Sequence, residues 1–184
     1  KDGFFPFTEE SAVSAPLKSR DVVMQNEILF ALNYAGIHDL WYSYDASKDN
    51  YYTINDVASI YPSSDDFRKE YLVITNSNGY DISVKYADVD SENGGKIPMI
   101  RLSEMYLIAA EAENEINGPA GAYQYINAIR KRARVDQNDP TNVPDLSGLS
   151  QDRFREAVLL ERQHELYEEG FAWYDLKRTQ TFDK

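Results

Sequence analysis

From Leu102 onward, Leu102, Met105, Tyr106, Ala109 and Ala112 recur at intervals of three and four, which places them on one side of an α-helix. The Gly118-Pro119 pair predicts where that helix stops. A second helix is expected from Ala120 to Arg134, with Tyr123, Ile126, Ile129 and Ala133 turned inward. A short turn between the two predicts a helix hairpin with small alanines at the crossing, in the form of one tetratricopeptide-like unit. The chain carries no second copy of that pattern, so it does not read as an array. Beyond an Asp-, Asn- and Pro-rich stretch at 136–148, Ser150 predicts the cap of a third helix, Asp152 sits in its first turn, and Gly170 is expected to end it.

The first 96 residues follow a different pattern. Tyr80, Ile82, Val84 and Tyr86 alternate with polar residues, Tyr71–Thr75 is apolar and β-branched, and Asn78-Gly79 between them suits a tight turn. A β-hairpin is predicted there. Glu27–Leu32 is a short buried strand or helix, which periodicity cannot separate over so few residues; strand is the preferred reading. Residues 41–52 are too polar and irregular for a core element and are read as a loop. This part also holds nine of the 14 tyrosines and five of the eight phenylalanines, so the composition changes near residue 97. The expected organisation is a loop-rich aromatic segment over 1–96 and a helical region over 97–184, in one compact unit of mainly α class with a small β-hairpin annex.

Charge and cysteine content narrow the functions. A formal charge of -12 repels nucleic-acid phosphate, and the one basic cluster, Arg130, Lys131, Arg132 and Arg134, reads as a helix end whose cations offset the dipole. With no cysteine there is no disulfide framework and no thiolate metal site, and neither a reducing nor an oxidising compartment is favoured. No apolar run reaches the roughly 20 residues of a membrane helix. Because the chain opens on Lys1, any targeting signal is expected outside it.

Several patterns imitate catalytic or metal chemistry. Glu161 and Glu165 lie four residues apart, in register with Phe154 and Val158, so two carboxylates fall on or beside the inward face of the third helix. Arg101, Arg130 and Arg178 are the expected counter-ions, since an unpaired buried carboxylate is strongly disfavoured. The alternative is a glycosidase acid/base pair, which needs two carboxyls flanking a sugar-sized gap of roughly 5 to 9.5 Å. His164-Glu165-Leu166-Tyr167-Glu168 is half of a zinc-protease motif, with Glu168 where the second histidine belongs. His38 and His164 are the only histidines, so no catalytic zinc is expected. Asp88, Asp90 and Glu92 lack the glycine and terminal glutamate of an EF-hand loop and read as a solvated acidic loop. No cofactor is implied.

Three segments, in this order, carry a family resemblance: IPMIRLSEMYLIAAEAENEI, AYQYINAIRKRARV and FREAVLLERQHELYEEGFAWYDLKR. They resemble the carboxy-terminal region of the SusD/RagB family of bacterial outer-membrane nutrient-binding lipoproteins. Residues 97–112 resemble the block I-P-x-I-R-L-[AS]-E-[MV]-Y-L-x-x-A-E-A, 125–133 resemble L-N-x-[IV]-R-x-R-A, and 161–178 resemble E-R-x-x-E-L-x-x-E-G-x-R-W-x-D-L-x-R. Ile126 stands at the leucine position, and Ala172 stands where the family usually has arginine or another polar residue. The resemblance implies a surface lipoprotein that binds glycan without breaking it. It further implies a partner, a TonB-dependent (SusC-like) outer-membrane transporter, and a longer protein bearing an amino-terminal helical-repeat portion and a lipid anchor, both absent from this chain. Within these blocks Arg101, Glu111, Arg130, Glu161, Arg162, Glu165, Asp175 and Arg178 are expected to form an ion-pair network that fixes helix packing.

No family motif assigns a sugar contact, so the candidate site comes from composition. Trp41, Tyr42, Tyr44, Tyr51 and Tyr52 offer flat faces for the apolar C–H side of a sugar ring, while Asp45, Asp49 and Asn50 offer partners for its hydroxyls. The competing role for each ring is to anchor the irregular segment to the helices. Two rivals to glycan capture remain: a helical-repeat module that docks a protein partner without sugar contact, and a hydrolase built on Glu161 and Glu165.

Overall fold

The structure, a computed structural model, describes residues 6–16, 21, 23–33, 60–61, 65–75, 79, 81–83, 96–136, 138–141 and 143–180. In chain order these form α1 (Glu10–Val13), a 3-10 turn (Gln25–Glu27), β1 (Ile28–Asn33), α2 (Phe67–Leu72), β2 (Val73–Thr75), β3 (Asp81–Ser83) and β4 (Lys96–Arg101). Four longer helices follow: α3 (Leu102–Asn117), α4 (Pro119–Arg132), α5 (Gln151–Glu165) and α6 (Phe171–Thr179). The protein is thus mainly helical, and its strands form two separate antiparallel pairs, β1 with β4 and β2 with β3. The chain divides into two compact units, Lys1–Leu102 with Arg132–Val143, and Ser103–Lys131 with Pro144–Lys184.

In the first unit the apolar run after Glu27 is a strand. β1 pairs with β4 so that Ile28 lies opposite Arg101, Phe30 opposite Ile100 and Leu32 opposite Ile97, with irregular register on both sides of Phe30. Pro98, which has no N–H to give, is tolerated because a two-stranded sheet consists only of edges. The predicted hairpin is present but shorter than expected: Val73 pairs with Ser83 and Thr75 with Asp81, and the Thr75 hydroxyl donates to Asp81 Oδ1 at 2.9 Å. Gly79 has the positive φ expected of the turn, 82°. Tyr71 and Leu72 belong to α2 and not to the strand. Asp66 explains the difference, because its carboxylate caps that helix by accepting from Arg68 N at 3.0 Å. The helix then carries Phe67 and Leu72 into a core with Val13, Val23 and Met24. The remainder of the predicted second strand, at Tyr80 and 84–86, lies outside the described residues.

A buried charge cluster sits in this unit. Glu27 is fully buried, accepts from Thr8 N at 3.0 Å, and faces Arg101 at 3.4 Å and Arg132 at 3.6 Å. Because Ile28 stands opposite Arg101, pairing of β1 with β4 by itself brings the Glu27 carboxylate to the arginine. The Arg132 guanidinium also lies over the rings of Phe7 and Phe67, 5.6 and 5.3 Å from their centroids. Met24 adopts a left-handed backbone, with φ 54° and ψ 60°. Such a conformation costs a non-glycine residue about 1–2 kcal/mol. Its buried side chain offsets that cost, with the sulfur accepting from both guanidiniums at 3.3 Å.

The second unit is built on α3, α4 and α5. Ala110 of α3, Ala122 and Ile126 of α4, and Phe154 and Val158 of α5 form one core. Tyr123 meets Phe154 edge to face at 5.1 Å, and Tyr106 meets Tyr125 at 6.1 Å. Ile126 and Ile129 of α4 and Phe154, Val158, Glu161 and Glu165 of α5 are buried as the periodicity predicts, Tyr123 is half-buried, and Ala122, Arg132, Arg162 and His164 are buried besides; α3 is rotated from the expectation. Its buried positions are Ser103, Leu107, Ala110 and Asn114, while Met105 and Ala112 face solvent. The continuous apolar run Met105–Ala110 gives periodicity more than one face to choose from, and here the polar Asn114 is sealed on the inner one. Its Nδ2 donates to Gln151 O at 3.2 Å, and Gln151 Nε2 donates to Asn114 O at 2.6 Å.

Helix ends follow their local signals with two exceptions. Gly118, at φ 83°, ends α3, and Pro119 opens α4, where its missing N–H costs nothing. Ser150 caps α5, accepting from Arg153 N at 3.3 Å. The third helix, however, stops at Glu165 and not at Gly170. Leu166 N closes on Arg162 O at 2.9 Å, Glu168 and Gly170 both take positive φ, and Gly170 becomes the cap of a separate helix, α6. Likewise α4 stops at Arg132, because Phe67 N takes Ala133 O at 2.8 Å and Val135 N takes Asp65 O at 3.0 Å.

Replacing one partner of a fully buried ion pair strands the other charge, at about 3–5 kcal/mol. Glu27→Ala is therefore expected to lower the unfolding free energy in urea by about that amount. A loss below about 1 kcal/mol would show that Glu27 does not hold Arg101 and Arg132 in place.

Candidate functional site

The charged residues of the signature blocks gather where α6 returns. Arg178 grips Glu111 of α3 with both terminal nitrogens, Nη1 to Oε1 and Nη2 to Oε2, the latter at 2.8 Å, and its Nε donates to Asp175 Oδ1 at 2.8 Å. Asp175 also accepts from Arg162 Nε of α5 at 2.7 Å, and Arg162 lies 5.8 Å from the Phe171 ring centroid. The chain Glu111, Arg178, Asp175, Arg162 thus ties α3, α6 and α5 together. Three carboxylate contacts hold the Arg178 guanidinium strongly to its protonated form.

Glu161 and Glu165 are both buried on α5. Glu161 Oε2 accepts from Arg130 Nη1 of α4 at 2.7 Å, and the rest of that guanidinium donates to Pro144 O from Nε and Nη2, at 3.0 and 2.9 Å. Arg101, also an expected counter-ion, pairs with Glu27. The basic run that ends α4 is likewise committed residue by residue: Arg130 to Glu161, Arg132 to Glu27, and Arg134 Nε to Val143 O at 3.2 Å. Only Lys131 of the four faces solvent.

Several contacts that bridge distant positions carry no signal in the sequence. Arg155 makes a two-point bridge to Glu115, 2.7 Å on each arm, and also reaches Asp152. Asn127 holds the backbone of Leu146 in both directions, at 3.0 and 2.8 Å, and so fixes the loop into α5. Tyr123 OH accepts from Leu149 N at 2.6 Å.

Along α3 these bridges wall an open groove of about 430 Å³, lined by Ile108, Glu111, Ala112, Glu115, Arg162 and Arg178. Its charged groups are already paired, Glu111 with Arg178, Glu115 with Arg155 and Arg162 with Asp175, so the surface left to a ligand is the aliphatic strip of Ile108 and Ala112. Among the described residues no group of three His, Asp or Glu side chains is placed to hold a metal, and no helix is long and apolar enough to cross a membrane. His38, Asp88, Asp90 and Glu92 lie outside the described residues. So do all the aromatic-loop candidates: Trp41, Tyr42, Tyr44, Asp45, Asp49, Asn50, Tyr51 and Tyr52.

Two outcomes follow from this charge geometry. Arg130→Ala leaves the buried Glu161 without its 2.7 Å partner and should cost about 3 kcal/mol in urea unfolding, whereas Arg153→Ala at the exposed Glu156 bridge should cost under about 1 kcal/mol. Equal losses would contradict a structural role for Glu161. The Arg155 guanidinium holds the Glu115 carboxyl below the ordinary glutamate range. That depressed value contributes stability above the unfolded-state pKa and loses it as pH falls through the folded one. Glu115→Gln should therefore flatten the acid limb of stability against pH, and an unchanged limb would argue that the bridge contributes nothing.

The chain is similar to known proteins in sequence and in fold. SusD-like protein P25 of Formosa agariphila is 38% identical over 133 residues, which are 67% of this chain and 24% of that protein. SusD-like protein P2 of the same organism is 40% identical over 111 residues, 59% of this chain and 19% of that protein. Two solved structures match the fold. A SusD superfamily protein from Bacteroides thetaiotaomicron superposes with a TM-score of 0.71 at 22% identity, covering 97% of this chain and 42% of that one. A SusD-like carbohydrate binding protein from Bacteroides vulgatus gives 0.68 at 24% identity, covering 96% and 38%. The chain therefore spans about a quarter or less of its curated relatives and about two fifths of these solved structures. The SusD family model matches residues 7–184, and by that match, which runs through all three signature segments, the chain belongs to the SusD family.

Proposed function

We propose that the protein of which this chain forms part captures oligosaccharide or polysaccharide at the bacterial outer-membrane surface and releases it unbroken to a TonB-dependent, SusC-like transporter. The observation that carries this reading is the family match over residues 7–184. A fold neighbour described as a carbohydrate binding protein supports the ligand class. The helical signature region serves as the scaffold, and the ligand is held by the aromatic segment, with Trp41, Tyr42, Tyr44, Tyr51 and Tyr52 as stacking surfaces and Asp45 and Asn50 as hydroxyl partners. Reversible capture suits this chemistry, since each stacked ring adds a modest free energy and release remains fast. Attachment to the membrane is through a lipid anchor carried by the whole protein.

Bond cleavage has little support. Of the two candidate carboxylates, Glu161 is buried and occupied by Arg130, and Glu165 is buried on the same helix. Neither is exposed to the approach of a glycosidic oxygen. The second reading, a helical module that docks a protein partner, is favoured by one observation: Met105, Ile108 and Ile116 stand exposed along α3.

Affinity electrophoresis through gels carrying plant, host and microbial polysaccharides separates the two. Retardation by one polysaccharide is expected, and Trp41→Ala is expected to abolish it while circular dichroism stays unchanged. Passage at the control rate through every gel, for the whole protein as for this chain, would overturn glycan capture and leave the docking module.

A further inference from the structure

We draw no further inference here: the strongest candidate, the exposed stripe of Met105, Ile108, Ala112 and Ile116 along the solvent face of α3 beside the Glu111–Arg178 bridge, is an apolar helix face for which nothing in the structure shows what covers it.

Discussion

The grip of Arg178 and Arg162 on Glu111 and Asp175 is the contact on which the carboxy-terminal helix depends. None of the α6 side chains is fully buried, and only Phe171 and Leu176 among its apolar residues are half-buried, so burial secures this helix less than it does α4 and α5. Its attachments are instead a fork of nitrogens on Glu111, a carboxylate shared by two guanidiniums, and the Phe171 ring beneath one of them. A single solvent-exposed pair contributes under about 1 kcal/mol, which would leave nine residues frayed. What differs here is linkage: the buried Arg162 shares Asp175 with Arg178, and Arg178 adds a two-point contact to a third helix, so displacing one member disturbs all.

The same solution recurs in the other unit with greater burial. Glu27 is inaccessible between Arg101 and Arg132, which come from the end of a strand and the end of a helix far along the chain. In both units, arginine and glutamate stand where many proteins place aliphatic side chains. Such pairs are weak as a source of net stability but strict about geometry, because a shifted partner leaves a charge without water or counter-ion. That strictness gives a physical reason for reading Arg101, Glu111, Glu161, Asp175 and Arg178 as a scaffold: Arg101 is engaged by Glu27, Glu161 by Arg130, and Glu111 and Asp175 by Arg178.

The sequence revealed this scaffold unevenly. Buried positions of α4 and α5 were legible because Ile126, Ile129, Phe154 and Val158 lie at intervals that only a helix satisfies. The stop at Gly118 and the cap at Ser150 were legible because their chemistry is local. The inner face of α3 was not, since the apolar run Met105–Ala110 offers more than one face and a polar Asn114 occupies the buried side. The break before α6 was also hidden: nothing in Leu166–Glu169 forbids a helix, and the turn persists because α6 finds its partners on α3 and α5. Glu27 escaped as the partner of Arg101 because their meeting depends on the register of β1 against β4. As for the candidate ligand site, composition alone points to the aromatic segment.

We propose a division of labour between a charged scaffold and an aromatic site. The most direct test measures unfolding free energy and glycan dissociation constant in parallel, for Arg178→Ala and for Trp41→Ala in the whole protein. Arg178→Ala is expected to lose stability yet, wherever it remains folded, to bind glycan as the parent does, while Trp41→Ala is expected to keep its stability and lose affinity. If Arg178→Ala instead lost affinity at unchanged stability, the signature arginine would belong to the binding site and the division would fail.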